Sequence, residues 1–241
     1  MDESQLVQVT VCVVVPTYNE RENVPRLVDA IKAARVPSLT LFFVDDSSPD
    51  GTGGVIREIG VGETWVKLMV RKSKAGIGSA YQEGFREAIA RFSPTMVVEM
   101  DADLQHPPSS IPDLLKAVED GADVAVGSRY VKGGGVQGWT LWRRTVSKGA
   151  NFYARTLLGL PVKDATSGFR AYTKEAASIV AEGKLPGKGF EFQVASLRLL
   201  KTRMKIVEVP YYFSVRTSGT SKLGTKDMAK FFVAVLRAAF S

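Results

Sequence analysis

Two carboxylates and a carboxamide stand at alternate positions after a stretch whose pattern predicts a buried strand. The strand covers residues 96–100, and Asp101, Asp103 and Gln105 follow it. In an extended chain alternate side chains point the same way, so three oxygen donors would converge at the strand end. Hard cations such as Mg²⁺ and Mn²⁺ prefer oxygen ligands. The same residues also suit a turn or a helix cap, so the choice between a cation site and a turn depends on the elements around them.

The predicted elements that position these residues alternate between strand and helix. Apolar runs predict strands at residues 9–15, 39–44, 66–70, 96–100 and 123–127. Amphipathic helices separate these strands, which predicts an α/β fold with a mostly parallel central sheet flanked by helices. The first, second and fourth strands end in polar, mainly acidic residues, among them Asp45 and Asp46. Because open α/β sheets bind ligands at the carboxyl ends of their strands, a ligand site is favoured over a simple turn.

Composition narrows the class of protein. The 241 residues fit one domain, residues 1–241, and the hydrophobic and charged fractions of 45% and 24% are ordinary for a globular protein. A net charge of +7 indicates an anionic partner, such as a phosphate compound, a nucleic acid or an acidic membrane. Cys12 is the single cysteine, so no internal disulfide can form, and its apolar neighbours predict a buried core thiol.

Two segments predict amphipathic helices, at about residues 136–160 and 225–241. The first carries aromatic and basic side chains, which suits a membrane interface and equally suits packing on the domain with a solvated basic face. Every apolar run is too short to cross a bilayer, and the acidic N-terminus lacks the features of a signal peptide. We therefore expect a peripheral protein on the cytosolic face of a membrane, or a chain that stops before an anchor.

Two other classes of protein fit less well. The loop Gly76-x-Gly78 has part of a dinucleotide-binding fingerprint, but Tyr81 occupies the third glycine position, which argues against a dehydrogenase. A nucleic-acid-binding module has no need of acidic strand ends, because carboxylates repel a phosphate backbone. We therefore expect no nucleic acid among the partners.

Several motifs in order along the chain carry a family resemblance. They are residues 15–20 (VPTYNE), 44–52 (VDDSSPDGT), 101–106 (DADLQH) and 127–130 (GSRY). On these motifs the chain resembles family 2 glycosyltransferases with the GT-A fold. Further matches at residues 164–172, 190–193 and 208–216, and at Ser221-Lys222, make it similar to the dolichol-phosphate mannose synthases in particular.

This resemblance implies a reaction and a set of site residues. The reaction is the inverting transfer of mannose from GDP-mannose to the phosphate of dolichol or another polyprenol, with Mg²⁺ or Mn²⁺ as cofactor. The residues that the resemblance places at the nucleotide sugar are Pro16, Tyr18, Glu20, Val44, Asp46, Asp101, Ala102, Asp103, Gln105, Arg129, Arg216 and Lys222. Those that it places at the acceptor phosphate are Arg129, Arg143, Ser147, Arg216 and Lys222.

Within that set the resemblance makes Asp103 and Gln105 the metal ligands and gives catalytic roles to Asp101, Asp103 and Arg129. It also implies contact with a membrane surface, which is that of the endoplasmic reticulum if the protein is eukaryotic. Some members of the family rely on small membrane-anchoring subunits, which are further expected partners.

The chemistry of such a transfer asks for the same residue types. A departing nucleoside diphosphate gains negative charge, which a divalent cation neutralises. A sugar hydroxyl acceptor would need a general base, but a phosphate monoester is already ionised near neutral pH, its second pKa being about 6. We therefore interpret His106 as a structural residue. A UDP-glucose-dependent polyprenyl-phosphate glucosyltransferase, or another family 2 enzyme, stays open as an alternative, because few side chains distinguish the base and the sugar.

Overall fold

The computed structural model describes residues 9–186, 189, 191–215, 231–236 and 239. Arg216, Lys222 and most of the predicted C-terminal helix lie outside the described residues, although residues 231–236 are helical. The strands are β1 (Val11–Thr17), β2 (Leu39–Asp45), β3 (Val66–Val70), β4 (Met96–Glu99), β5 (Val124–Ser128), β6 (Gly135–Val136), β7 (Arg170–Thr173), β8 (Ile206–Pro210) and β9 (Tyr212–Phe213). The helices are α1 (Asn23–Ala33), α2 (Thr52–Gly62), α3 (Ile77–Phe92), α4 (Ile111–Glu119), α5 (Leu141–Leu158), α6 (Lys174–Glu182) and α7 (Glu191–Leu200).

In the described part of the chain, seven strands form the central sheet in the order β3-β2-β1-β4-β7-β5-β8. The strand β7 runs antiparallel to its neighbours β4 and β5, and the remaining pairs are parallel. A second, small sheet pairs β6 with β9 in parallel. The predicted α/β fold with a mostly parallel sheet is confirmed.

The sheet carries a hydrophobic core on each face. Along β1, Cys12 and Val14 face one core, which contains side chains of α3, α6 and α7. Val13 and Val15 face the other core, which contains side chains of α1, α2 and α4. This alternation follows from the period of two in a strand, and every one of these β1 side chains is inaccessible to solvent. Burial also raises the pKa of the Cys12 thiol to about 12, as expected for a core cysteine.

The parallel register places the carboxyl ends of β1 and β2 side by side. Thr17 pairs with Asp45 at the end of both strands, and the Thr17 hydroxyl donates a hydrogen bond of 2.9 Å to Asp45 Oδ1. The strand β4 lies on the other side of β1, and its last residue, Glu99, pairs with Val14. The chain segments that leave these three strands therefore emerge at one edge of the sheet.

Helix α3 packs closely on the strands through Gly84. A Cβ atom at this position would lie 2.6 Å from Val14 Cγ1 and 2.9 Å from Val44 Cγ2, so alanine would overfill the contact. We expect Gly84→Ala to lower the free energy of unfolding by about 1–3 kcal/mol, measured by urea denaturation. The matched control is Gly54→Ala on α2, where a Cβ atom meets nothing within 4 Å. This control should be neutral or gain about 0.5–1 kcal/mol, and equal losses in both variants would contradict the packing described here.

Candidate active site

A cleft of about 2250 Å³ opens at the carboxyl edge of the sheet. It is lined by residues that follow β1, β2, β4 and β5, and by side chains of α5 and α7. The predicted site residues that line it are Pro16, Tyr18, Glu20, Asp46, Asp101, Ala102, Asp103, Gln105, Arg129, Arg143 and Ser147. Val44 differs, because its side chain is wholly buried in the core beneath α3. The structure therefore brings most of the predicted set into one cavity.

The segment after β4 turns, and it is not the extended chain that the alternation argument assumed. The strand ends at Glu99, residues 102–106 form turns and bends, and Leu104 has a positive φ of 61°. Asp103 Oδ1 accepts a hydrogen bond of 3.1 Å from the Gln105 amide, and such side chain to backbone bonds stabilise turns. The geometric reason given for the convergence of these side chains was thus wrong. The turn itself brings Asp101, Asp103 and Gln105 to the cleft.

Hydrogen bonds orient both ends of this turn. The Tyr81 hydroxyl of α3 donates to Asp101 Oδ1 at 2.9 Å, while the Asp101 side chain keeps 37% of its surface exposed. Gln105 Nε2 donates to the carbonyl oxygen of Ser214 at 3.2 Å. Because Nε2 is engaged in this way, the other side-chain atom, Gln105 Oε1, is the one suited to ligate a cation.

His106 is enclosed at the base of the turn. Its ring stacks on Phe169, with centroids 5.2 Å apart, and its Nδ1 accepts a hydrogen bond of 3.2 Å from the Asp101 amide. Burial lowers the pKa of His106 to about 4, so the ring is neutral near pH 7. An imidazole whose Nδ1 already accepts a bond from the backbone serves to shape the turn, which agrees with its interpretation as a structural residue.

The oxygen donors at the cleft suit a hard cation whose remaining ligands come from a substrate and from water. Among the described residues, no three His, Cys, Asp or Glu side chains are grouped as a self-sufficient metal site. Asp103 and Gln105 supply oxygen donors at the cleft, and phosphate oxygens and water commonly complete the shell of Mg²⁺. The residues present therefore fit a cation that binds together with a diphosphate.

A buried ion pair with Arg71 holds Asp46 at the cleft. Arg71 Nη1 lies 2.6 Å from Asp46 Oδ1, and Arg71 Nε lies 2.8 Å from Glu83 Oε2 on α3. Burial raises the pKa of Asp46 and the nearby Arg71 opposes this rise. The ammonium group of Lys74 stands 3.7 Å from the centroid of the Tyr18 ring. Sequence reasoning assigned no role to Arg71 or Lys74.

Arg129 is held by a carboxylate that sequence reasoning did not place in the site. The Nε and Nη2 atoms of Arg129 donate to the two oxygens of Asp164 at 2.7 and 2.6 Å, and Nη2 also donates to Thr166 Oγ1 at 2.9 Å. Asp164 is completely buried and the Arg129 side chain is 8% exposed. Burial disfavours the charge of the guanidinium, but Asp164 more than offsets this and raises the pKa of Arg129.

The helix α5 lines another side of the cleft. The Arg143 guanidinium lies 4.3 Å from the centroid of the Trp139 ring, and the Tyr130 hydroxyl donates to Ser147 Oγ at 2.7 Å. Asn151 Nδ2 donates to Thr166 Oγ1 at 3.0 Å, and the Thr166 amide donates to Asn151 Oδ1 at 3.1 Å. These bonds join α5 to the segment that holds Arg129.

A buried polar network lies behind the acidic turn. Glu99 accepts hydrogen bonds from the Tyr172 hydroxyl and from Gln193 Nε2. Arg170 is inaccessible to solvent, and it donates to Ser196 Oγ at 2.9 Å and to the Gln193 carbonyl oxygen at 3.0 Å. Burial raises the pKa of Glu99 to about 7, and the charge of Arg170 opposes the rise. The network fixes β4 and β7 against α7. In the sequence, the one signal that could have singled out Glu99 is its position inside an apolar strand.

Comparison with known proteins gives matches over most of the chain. The model of the family Glycosyl transferase family 2 matches residues 12–179. Polyprenol monophosphomannose synthase of Mycolicibacterium smegmatis is 44% identical over 219 residues, which cover 90% of this chain and 82% of that protein. Dolichol-phosphate mannosyltransferase of Pyrococcus furiosus is 41% identical over 233 residues, which cover 94% of this chain and 63% of that protein. This chain thus spans less than two thirds of the length of the second relative.

Solved structures share the architecture. The mannosyltransferase PcManGT from Pyrobaculum calidifontis, in complex with GDP-Man and Mn²⁺, has a TM-score of 0.65 and 17% sequence identity. The match covers 95% of this chain and 64% of that one. The likeness confirms the predicted GT-A fold.

The buried ion pair of Arg129 and Asp164 should be costly to break from one side. We expect Asp164→Ala to lower the free energy of unfolding by about 3–5 kcal/mol, because it leaves a buried guanidinium without its carboxylate. Adding Arg129→Met should restore part of the loss, since it removes the stranded charge. Urea denaturation measures both effects.

The control is Asp120→Ala, which breaks an exposed pair with Lys116 whose N–O distance is 3.0 Å. Solvent screens such a pair, so little change in stability is expected. A similar small effect from Asp164→Ala would show that the buried pair does not support this part of the fold.

Proposed function

This chain belongs to glycosyltransferase family 2 and is a glycosyltransferase, and from this premise we propose that it transfers mannose from GDP-mannose to the phosphate of dolichol or another polyprenol. The proposed products are the polyprenyl phosphate mannose and GDP. The names of the two mannosyl-transferring relatives support the sugar and the lipid acceptor. The complex of the Pyrobaculum protein with GDP-Man supports the nucleotide.

The observation that carries this proposal is the pairing of opposite charges within one cleft. Asp101 and Asp103 line the cleft together with Arg129 and Arg143. A transfer between two phosphorylated substrates needs both groups, because a diphosphate leaves and a phosphate attacks. Cations reduce the repulsion between the two anionic substrates, and Arg forks bind phosphate oxygens with two parallel hydrogen bonds.

Asp103 and Gln105 would hold a Mg²⁺ or Mn²⁺ ion through oxygen atoms. When bound, such an ion supplies positive charge to the diphosphate leaving group. Pro16, Tyr18, Glu20 and Asp46 line the part of the cleft that we assign to the guanine nucleoside. Asp46 is fixed there by Arg71, so its carboxylate is oriented before the nucleotide arrives.

The acceptor phosphate would provide the nucleophile. One of its oxygen atoms attacks the anomeric carbon as the bond from that carbon to the diphosphate oxygen breaks on the opposite face, which inverts the configuration. No proton has to be removed, because the phosphate is already ionised. Arg143 and Ser147 line the end of the cleft that we assign to this phosphate. The family resemblance assigns Arg216 and Lys222 to the same phosphate, and both lie outside the described residues. His106 is left out of the reaction because its Nδ1 is already engaged by the backbone.

We also propose that α5 contacts the membrane that contains the lipid acceptor, on its cytosolic face. The helix exposes three large apolar side chains, Leu141 (82%), Trp142 (76%) and Phe152 (65%). Arg144 and Lys148 are exposed on the same helix and would favour anionic head groups. Among the helices of the described residues, none has both the length and the apolar character needed to cross a membrane. A small membrane subunit that binds the same helix is the competing arrangement.

The transfer reaction is tested by direct assay with a short polyprenyl phosphate and either Mg²⁺ or Mn²⁺. GDP-mannose and UDP-glucose are supplied separately, and the lipid-linked sugar is measured. We expect mannosyl lipid from GDP-mannose and at least about 100-fold less product with Asp103→Ala, because that variant loses a ligand for the ion on the leaving group.

The control variant is Glu119→Ala, which removes an exposed carboxylate at the end of α4 and should leave the rate unchanged. Turnover of UDP-glucose without turnover of GDP-mannose would reject the mannosyl assignment. Full activity in Asp103→Ala would show that the metal binds elsewhere.

Membrane contact through α5 is tested by flotation with liposomes that contain anionic lipid. The wild-type chain should float, and the combined variant Leu141→Ser, Trp142→Ser and Phe152→Ser should remain at the bottom, since it loses the apolar face of the helix. The control is Val61→Ser, which removes an apolar side chain that is 85% exposed on α2. A wild-type chain that never floats would reject direct docking and favour a membrane subunit.

A further inference from the structure

We infer that Trp139 is a positioning residue of the acceptor-phosphate site, which orients the guanidinium group of Arg143, beside that of Arg129, through its indole ring. The inference rests on the proposed function, because it assigns these arginines to the phosphate of the lipid acceptor. We call the set of Arg129, Trp139 and Arg143 the arginine clamp. All three side chains line the cleft.

The distances support a direct interaction of the indole ring with both cations. The Cζ atom of Arg143 lies 4.3 Å from the ring centroid of Trp139, and the Cζ atom of Arg129 lies 5.4 Å from the same centroid. Both values are within the range of about 6 Å in which a cation is attracted to an aromatic face. Among the aromatic side chains, Trp gives the strongest attraction of this kind.

The two guanidinium groups belong to different elements and have different described contacts. Arg129 makes a bidentate pair with the buried carboxylate of Asp164, so its positive charge is largely compensated before a substrate binds. It brings hydrogen-bond donors to the site but little net charge. Arg143 belongs to α5, whereas Arg129 follows β5. The indole ring of Trp139 contacts the Arg143 guanidinium, so it helps to set the position of the Arg143 side chain at the site.

The ring of Trp139 is itself fixed by residues far away in the chain. It packs edge-on against Phe213, with centroids 5.4 Å apart. Phe213 belongs to β9, which pairs with β6, and the Gln137 amide donates to the Phe213 carbonyl oxygen at 2.9 Å. Gly138, which immediately precedes Trp139, has a positive φ of 71°, and a Cβ atom there would lie 2.8 Å from Val215 Cγ2. The loop can therefore bring Trp139 close to β9 only with glycine at this place.

This arrangement lowers the cost of binding a phosphate. An arginine side chain has many rotamers, and ordering it when a ligand binds reduces the affinity. A ring that already holds the guanidinium removes part of this cost. Because the effect precedes the chemical step, loss of Trp139 should weaken binding of the acceptor and leave binding of the nucleotide unchanged.

The first test is calorimetric titration of a water-soluble, short-chain isoprenyl phosphate, and separately of GDP, into the full chain. We expect Trp139→Leu to raise the Kd of the isoprenyl phosphate by roughly 3- to 30-fold and to leave the Kd of GDP within about twofold. Trp139→Phe keeps an aromatic face and should lose less than Trp139→Leu. The control is Trp65→Leu, which replaces a partly buried tryptophan that is bonded to Glu63 outside the cleft. It should change neither Kd.

The second test is a double-mutant cycle with Arg143→Ala. If Trp139 acts through Arg143, the double variant should bind the isoprenyl phosphate no more weakly than Arg143→Ala alone. The inference is overturned by additive losses, by an equal loss of GDP binding in Trp139→Leu, or by an unchanged Kd. It is overturned as well if the wild-type chain does not bind the isoprenyl phosphate. A wild-type chain that binds this ligand but transfers no mannose would reject the proposed function and leave the clamp intact.

Discussion

The parallel pairing of β1 with β2 and β4 is the constraint on which the site depends. Parallel strands end at the same edge of a sheet, and the register places Thr17 beside Asp45 at that edge. A short polar segment follows each strand, and these segments line the cleft. The strands themselves are apolar and buried on both faces, so they supply rigidity while the segments beyond them supply the chemistry.

Arginine residues at the cleft are held by partners that act before any substrate binds. Arg71 is held by Asp46 and Glu83, Arg129 by Asp164, and Arg143 by Trp139. Fixed charges in a shielded cleft stabilise developing charge without the cost of reorganisation when the reaction occurs. Carboxylate partners also compensate part of the positive charge of Arg71 and Arg129. The individual partner of each arginine therefore matters more than the number of basic residues.

The sequence predicted the strands and their ends well, because local patterns determine both. Apolar runs and the polar residues after them identified Asp101, Asp103 and Asp46 as residues of one edge. Long-range partners were beyond this reasoning, since Asp164 lies 35 positions from Arg129 and the spacing between them carries no periodic signal. Local patterns gave equally little information about the order of the strands in the sheet. The strand β7 enters between β4 and β5 from late in the chain and runs antiparallel, and burial of Glu99 beside it is visible only in the folded chain.

Aromatic side chains join the two halves of the cleft, which bears on the proposed transfer without a general base. His106 shapes the acidic turn and contacts Phe213 at 5.8 Å between centroids, and Phe213 contacts Trp139 of the arginine clamp. The acidic turn and the arginine clamp are thereby connected by rings that pack directly on each other. A phosphate nucleophile needs no proton removed, so its reactivity depends on distance and direction toward the anomeric carbon. In the proposed reaction, a rigid aromatic bridge between the two anion sites would control those two quantities, whereas a flexible link would have to be ordered in each catalytic cycle.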